Sequence, residues 1–297
     1  MPAPELFAAV ATPVREDGSP DIDTFDRVVD FLVDAGVDGL CVGGATSEYP
    51  HFDAAERARL IERAAGRLGG GDRLLVGVGA SNVRRTLHLA RAAEAVGSRA
   101  LLVPMPMFFR YGQEDLHAYC AHVSRAARMP CLLYDLPDFT NGLAPETAVA
   151  LMSREEFIVG LKDSSGRAAN LPAFAEARGS RPWTLLVGDD RLLHLGLAAG
   201  WNGAISGIAC FCPELLVGVT RSFARGDLDR AVRLQQRVDE LVARITPFPA
   251  PWGIRAGLAC RGFDTGPLPL PLSAGRERQI REFREWFTGW LPRALDA

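Results

Sequence analysis

Short apolar runs alternate with longer amphipathic stretches almost from one end of the chain to the other. The runs are LFAAVA, GLCVGG, RLLVGVG, RALLVP, PCLLYD, FIVGLK, WTLLVG and NGAISG. Each is nearly continuous in apolar residues, the pattern of a strand covered on both faces in a parallel sheet. Between them lie helix-length stretches with acidic or polar starts and charged faces, such as DIDTFDRVVDFLVDAG and NVRRTLHLARAAEAVG. Several end at a glycine ahead of the next run, among them Gly36, Gly97 and Gly200. Eight strand–helix units within about 225 residues match the size of a (β/α)8 TIM barrel. An open doubly wound sheet would call for a phosphate-binding glycine fingerprint after the first strand, and VATPVRED holds none. Past residue 226 the strand pattern stops. GDLDRAVRLQQRVDELVARI, WGIRAGLACRG and GRERQIREFREWFTGWL read as helices broken by proline-rich turns. The predicted organisation is a barrel over residues 1–225 and a C-terminal helical region over 226–297.

Composition narrows the function classes. The 33 basic and 36 acidic residues give a net charge of −3, with no basic excess for nucleic acid or an anionic membrane. No apolar run approaches the ~20 residues that cross a bilayer, and the N-terminus has no basic leader ahead of an apolar core. A soluble, cytoplasmic protein is expected. The six cysteines are scattered, and Cys210 and Cys212 lie too close together for a zinc knuckle. They read as buried free thiols of a reducing compartment. The five histidines form no HExxH or i,i+4 pair, and neither a nucleophile elbow nor a P-loop occurs. A metal site is not expected.

One composition detail carries chemistry. Lys162, in FIVGLKDSSG, is the sole lysine of the chain, and every other cationic side chain is arginine. It falls at the end of the sixth strand run, where barrel active sites are built, with DSSG expected to cap the next helix. An amine drawn out of water loses preference for its charged form, and a neutral amine attacks carbonyls to form a Schiff base. Arginine stays protonated and cannot. The competing explanation is a chance survivor, snorkelling or paired with Asp163. Tyr134 closes the fifth run and should face the same mouth, placed for proton transfer or carboxylate binding. After the second run, Gly43, Gly44, Ala45, Thr46, Ser47 and Glu48 form a turn able to offer N–H groups and hydroxyls to an anion.

These residues together resemble the dihydrodipicolinate synthase / N-acetylneuraminate lyase family of lysine-dependent aldolases. The resemblance runs along nearly the whole chain, including the helical tail. Gly44-Ala45-Thr46-Ser47-Glu48 is similar to the family's G-[S/T]-T-G-E turn, and Tyr134-Asp135-Leu136-Pro137 to its Y-N-x-P strand end. Gly160-Leu161-Lys162-Asp163 resembles G-[I/L]-K-[D/E], Gly188-Asp189-Asp190 resembles G-D-[D/E], and Gly203-Ala204-Ile205-Ser206 resembles G-x-I-S. The resemblance implies a TIM barrel, commonly a homotetramer or dimer, working on pyruvate or another 2-oxo acid and an aldehyde without metal or organic cofactor. It implies Lys162 as the imine-forming nucleophile and Tyr134 as acid/base. Ala45 and Thr46 would bind the pyruvyl carboxylate, and the Ile205 backbone would lie near the imine.

The chain departs from the family pattern at four positions. Ala45 and Phe108 stand where many members carry proton-relaying hydroxyls, so water, Tyr49, Tyr111 or a substrate group would have to substitute. Phe139 stands where dihydrodipicolinate synthases place an arginine, which argues against lysine biosynthesis. Ser47 replaces a glycine. The expected function is a Schiff-base aldolase or lyase acting on pyruvate or a 2-keto-3-deoxy sugar acid-like 2-oxo acid. The alternatives are a dehydratase or deaminase using the same imine, and a non-catalytic relative that binds a 2-oxo acid.

Overall fold

The structure, a computed structural model, describes residues 3–296. Eight strands follow one another in a closed parallel barrel. They are β1 (Glu5–Ala9), β2 (Gly39–Val42), β3 (Leu74–Gly77), β4 (Ala100–Pro104), β5 (Cys131–Asp135), β6 (Ile158–Asp163), β7 (Thr184–Val187) and β8 (Gly203–Ser206). The helices of the outer ring are α1 (Ile22–Asp34), α2 (Ala54–Leu68), α3 (Val83–Ala95), α4 (Gln113–Ala127), α5 (Pro145–Arg154), α6 (Asn170–Arg178), α7 (Leu193–Ala198) and α8 (Pro213–Ala224). Beyond them come α9 (Leu228–Ile245), α10 (Trp252–Cys260) and α11 (Ala274–Leu295). The expected TIM barrel with helices after it is what the chain forms. No helix among the described residues is long and apolar enough to cross a membrane.

Local chemistry explains the helix ends. Asp21, Asp53 and Asn82 cap α1, α2 and α3 through their side chains, satisfying N–H groups of the first turn. Gly36, Gly97 and Gly200 all take positive φ, the left-handed turn that lets each helix stop and the chain re-enter the sheet.

Strand alternation divides the buried side chains into two layers. Leu6, Ala8, Leu101 and Leu133 face the helices. Phe7, Ala9, Cys41, Leu75, Leu102, Leu132, Tyr134, Leu186 and Ile205 fill the barrel interior. The C-terminal helices are welded to the barrel through aromatics. Phe287 of α11 packs on Phe211, just beyond β8, with ring centroids 5.4 Å apart.

Candidate active site

Lys162 owes its direction to an irregularity in β6. Ile158 faces the helices, so strict alternation would turn Gly160 and Lys162 outward as well. The pairing slips by one residue instead. Cys131 opposes Ile158 but Leu132 opposes Gly160, which leaves Val159 as an extra residue. After the slip Leu161 faces outward and Lys162 lies opposite inward-facing Tyr134. A bulge that re-aims a side chain is a familiar device beside functional sites. Lys162 is 5% exposed, and its Nζ lies 4.3 Å from the centroid of the Tyr134 ring.

Gly188, at the end of β7, makes room for this side chain. A Cβ there would overlap Ser164 Oγ and stand 2.9 Å from Lys162 Cε. Gly188→Ala is therefore expected to displace the lysine and slow any reaction at its amine by about 10²-fold, the scale of a misplacement near 1 Å. Single-turnover kinetics with an unchanged melting temperature would distinguish this from unfolding.

The turn after β2 is held rigidly from both sides. Ser47 Oγ donates to the Val10 carbonyl at 2.6 Å and accepts from the Gly43 N–H at 3.0 Å. The Thr12 hydroxyl donates to the Ser47 carbonyl at 3.1 Å. The serine in place of glycine thus ties the turn to the end of β1. Within the turn, Ser47 N–H donates to Gly44 and Glu48 N–H to Ala45. The N–H groups of Gly44, Ala45 and Thr46 meet no protein acceptor among the described residues. Ala45 and Thr46 are half-buried. Successive N–H groups without a protein acceptor are what an anion-accepting nest requires.

Ile205 is fully buried on β8 beside this turn's neighbours in the interior. Next to it, Ser206 Oγ accepts from the Ala209 N–H at 2.9 Å. Asp190, which the sequence showed only as part of the G-D-D motif and without a role, also belongs here. Its carboxylate accepts the Ile208 N–H at 3.2 Å. Burial pushes it up to about 6, against the Ser206 hydroxyl, the Ile208 N–H and the Lys162 amine, which favour its ionised form. The G-D-D signal was visible, but which aspartate turns inward was not. Asp189 instead pairs with Arg191 at 2.6 Å. Cys41 lies beneath the lysine, its thiol pushed up to about 11 by burial.

The departures from the family pattern fall at different depths. Phe108 is 91% exposed with φ +74°, and Phe139 is also exposed, both away from the packed interior. Tyr111 is exposed too. Tyr49 is buried, its ring tip filling the space a side chain at Gly79 would need, 2.9 Å from Cζ, with Pro104 on the other side. Pro104 is the strand partner of Tyr134. Burial pushes the Tyr49 phenol up to about 12, Arg57 opposing and Tyr134 adding to the rise. It stays a protonated hydroxyl near neutral pH.

The DSSG segment does not cap α6, which starts only at Asn170. Asp163 accepts the Ser165 N–H at 2.7 Å and Asn170 Nδ2 at 2.8 Å, so its carboxylate is spent closing the loop. Asp135, where the family pattern has asparagine, accepts the Leu143 N–H at 2.9 Å while buried. Burial pushes it up to about 6, Leu143 opposing and Asp163 adding to the rise. The folded protein therefore holds this proton more tightly than the unfolded chain, and stability falls as pH rises from about 4 to about 6. Asp135→Asn keeps the acceptor and removes the penalty. It is expected to gain about 1–3 kcal/mol above pH 6 and nothing below pH 4, read by denaturant unfolding at both pH values.

Fold and mouth together define a TIM-barrel protein with its reactive polar groups gathered at the C-terminal ends of the strands, where enzymes of this fold carry their sites. Residues 3–287 match the dihydrodipicolinate synthetase family, and the chain belongs to that family. An uncharacterized DapA-like lyase of Halobacterium salinarum is 34% identical, over 89% of this chain and 86% of the relative. The Escherichia coli protein named "Probable 2-dehydro-3-deoxy-D-pentonate aldolase YjhH" is 33% identical over 92% of both chains. Among solved structures, the E. coli family member YagE in complex with pyruvate superposes with a TM-score of 0.88 at 26% identity, covering 96% of this chain and 98% of that one. A Streptomyces coelicolor relative named 4-hydroxy-tetrahydrodipicolinate synthase 1 is 35% identical over 91% of this chain and 89% of that one, so the relatives carry the names of lyases, aldolases and synthases.

Proposed function

We propose that the protein is a Schiff-base aldolase acting on a 2-keto-3-deoxy sugar acid-like 2-oxo acid, which it cleaves to pyruvate and an aldehyde. The observation that carries the reading is the chain's sole lysine, buried in the barrel mouth with its amine over the Tyr134 ring. In the proposed reaction Lys162 Nζ attacks the C2 carbonyl carbon, and the carbonyl oxygen leaves as water after taking up protons through Tyr134. The resulting iminium accepts the electron pair of the breaking C3–C4 bond while the C4 hydroxyl gives up its proton and becomes the aldehyde. Protonation of the enamine at C3 and hydrolysis release pyruvate and the free amine. The unpaired N–H groups around Ala45 and Thr46, with the Thr46 hydroxyl, would hold the substrate carboxylate, and the Ile205 backbone would border the imine. Tyr49 is the hydroxyl best placed to exchange protons with Tyr134, since Tyr111 lies exposed.

Dehydration through the same imine is the second reading. Asp190, held up to about 6 beside the lysine, favours it as a proton donor to a departing hydroxyl. Product analysis separates the two, since only cleavage yields pyruvate plus an aldehyde. The founding test is incubation with pyruvate, borohydride reduction and peptide mass spectrometry. An adduct confined to Lys162 supports the imine. A folded protein without an adduct, with pyruvate and with longer 2-oxo acids, overturns it.

Self-association belongs to the same reading. Phe108, Phe109 and Tyr111 form an exposed aromatic patch, with Phe108 in a strained left-handed conformation. Light scattering is expected to return a dimer or tetramer of the 32.1 kDa chain, and Phe108→Asp to shift it towards monomer.

A further inference from the structure

Helix α10 lies outside the barrel, yet one of its side chains reaches the turn after β2. Arg255 is almost fully buried, and its Nη1 donates to Glu48 Oε2 at 3.2 Å. Its Nη2 holds the carbonyls of Thr265 at 2.5 Å, Gly266 at 3.2 Å and Pro267 at 2.7 Å. Glu48 closes the turn, with φ +52° and its N–H on the Ala45 carbonyl at 2.9 Å. Its other oxygen faces His51 Nδ1 at 3.8 Å. The neighbouring Ile254 approaches the end of β8 beside the turn. A Cβ at Gly207 would stand 3.1 Å from Ile254 Cδ1 and 3.3 Å from Thr46 Oγ1, so the two side chains flank Gly207 just beyond β8.

Ser47 and Thr12 tie the turn to β1, but its far end is a glutamate in the left-handed conformation, next to a run of unpaired N–H groups. The backbone at Glu48 is strained and persists because its surroundings hold it. The guanidinium is a planar fork able to grip a carboxylate and several carbonyls at once, which a lysine ammonium in the same place could not span. Burying the pair is costly in water-free surroundings, so its contribution to stability is small at best.

We propose that Arg255 is a positioning residue for the 2-oxo acid's carboxylate, acting through Glu48 to hold the Gly44–Thr46 N–H groups in their receiving geometry. The proposal rests on the imine reading above. It makes α10 and the Thr265–Pro267 loop part of the binding machinery, so carboxylate binding and the order of that loop are reciprocally linked.

The test compares wild type, Arg255→Lys and Glu48→Gln by borohydride trapping at Lys162, titrating pyruvate and, in parallel, pyruvamide, which has the same ketone without the carboxylate. Both variants are expected to need about tenfold more pyruvate for half-maximal trapping, the scale of one charge-assisted hydrogen bond lost from the support of the turn. The pyruvamide titration and the trapped yield at saturation should not move. Glu48→Gln preserves the shape of the side chain and carries the comparison by itself should Arg255→Lys fold poorly. Equal weakening for pyruvate and pyruvamide would mean a general structural role and overturn the proposal, as would unchanged titrations. A wild-type protein that traps neither ketone removes the imine reading and this one with it, an outcome distinct from normal wild-type trapping with unaffected variants.

Discussion

Lys162→Arg is expected to lose all Schiff-base chemistry, with turnover reduced on the order of 10⁴-fold or more, as for removal of other covalent nucleophiles. The substitution preserves positive charge and a long stem, so a lysine serving only as a charge would tolerate it. Guanidinium cannot be deprotonated in a protein and so cannot form the imine. Because arginine is bulkier in a site only 5% exposed, Lys162→Met belongs beside it. Methionine keeps an unbranched chain, removes the amine and leaves the interior packed. Both variants should be folded by circular dichroism, show no borohydride adduct, and release no pyruvate from a cleavable 2-oxo acid. Wild-type turnover in Lys162→Met would end the covalent reading outright.

The second large effect is expected at Tyr134. Tyr134→Phe removes one oxygen and keeps the ring on which Lys162 Nζ rests. Loss of a general acid/base should slow imine formation by about 10²–10⁴-fold. Stability should hardly change, because the ring and its packing are retained and no hydrogen bond from the phenol to a protein group is present among the described residues. The informative measurement is the single-turnover rate of trapping at saturating pyruvate, set beside the denaturant midpoint. If the rate is unaffected while wild type traps normally, proton transfer runs through another group, and Tyr49, buried towards the same strand end, is the one to replace next.

The two expectations differ in how each residue became visible. Lys162 stood out by composition, because a chain that uses arginine for every other cation keeps an amine only where its chemistry differs. Tyr134 stood out by position, at the end of a strand adjacent in order to that of the lysine. Asp190 was ambiguous, since it and Asp189 are alike in sequence and only the fold sends one to Arg191 and the other to the Ile208 N–H. Ser47 read only as a departure from the family's glycine, and its hydroxyl ties the turn to β1. Glu48 and Arg255, 207 residues apart, carry no local signal of each other.

What the sequence determined by itself is the order of strands and helices, because parallel strands buried on both faces demand continuous apolar runs and the helices between them demand caps and amphipathic faces. It also determined which side-chain chemistries were available at the strand ends. Tertiary structure alone decided their direction and support. A one-residue slip between β5 and β6 turns Lys162 into the mouth instead of out among the helices, and a helix from beyond the barrel grips the turn beside it. Both depend on pairing between distant segments, and a period-two pattern reverses with a single extra residue that no local propensity records.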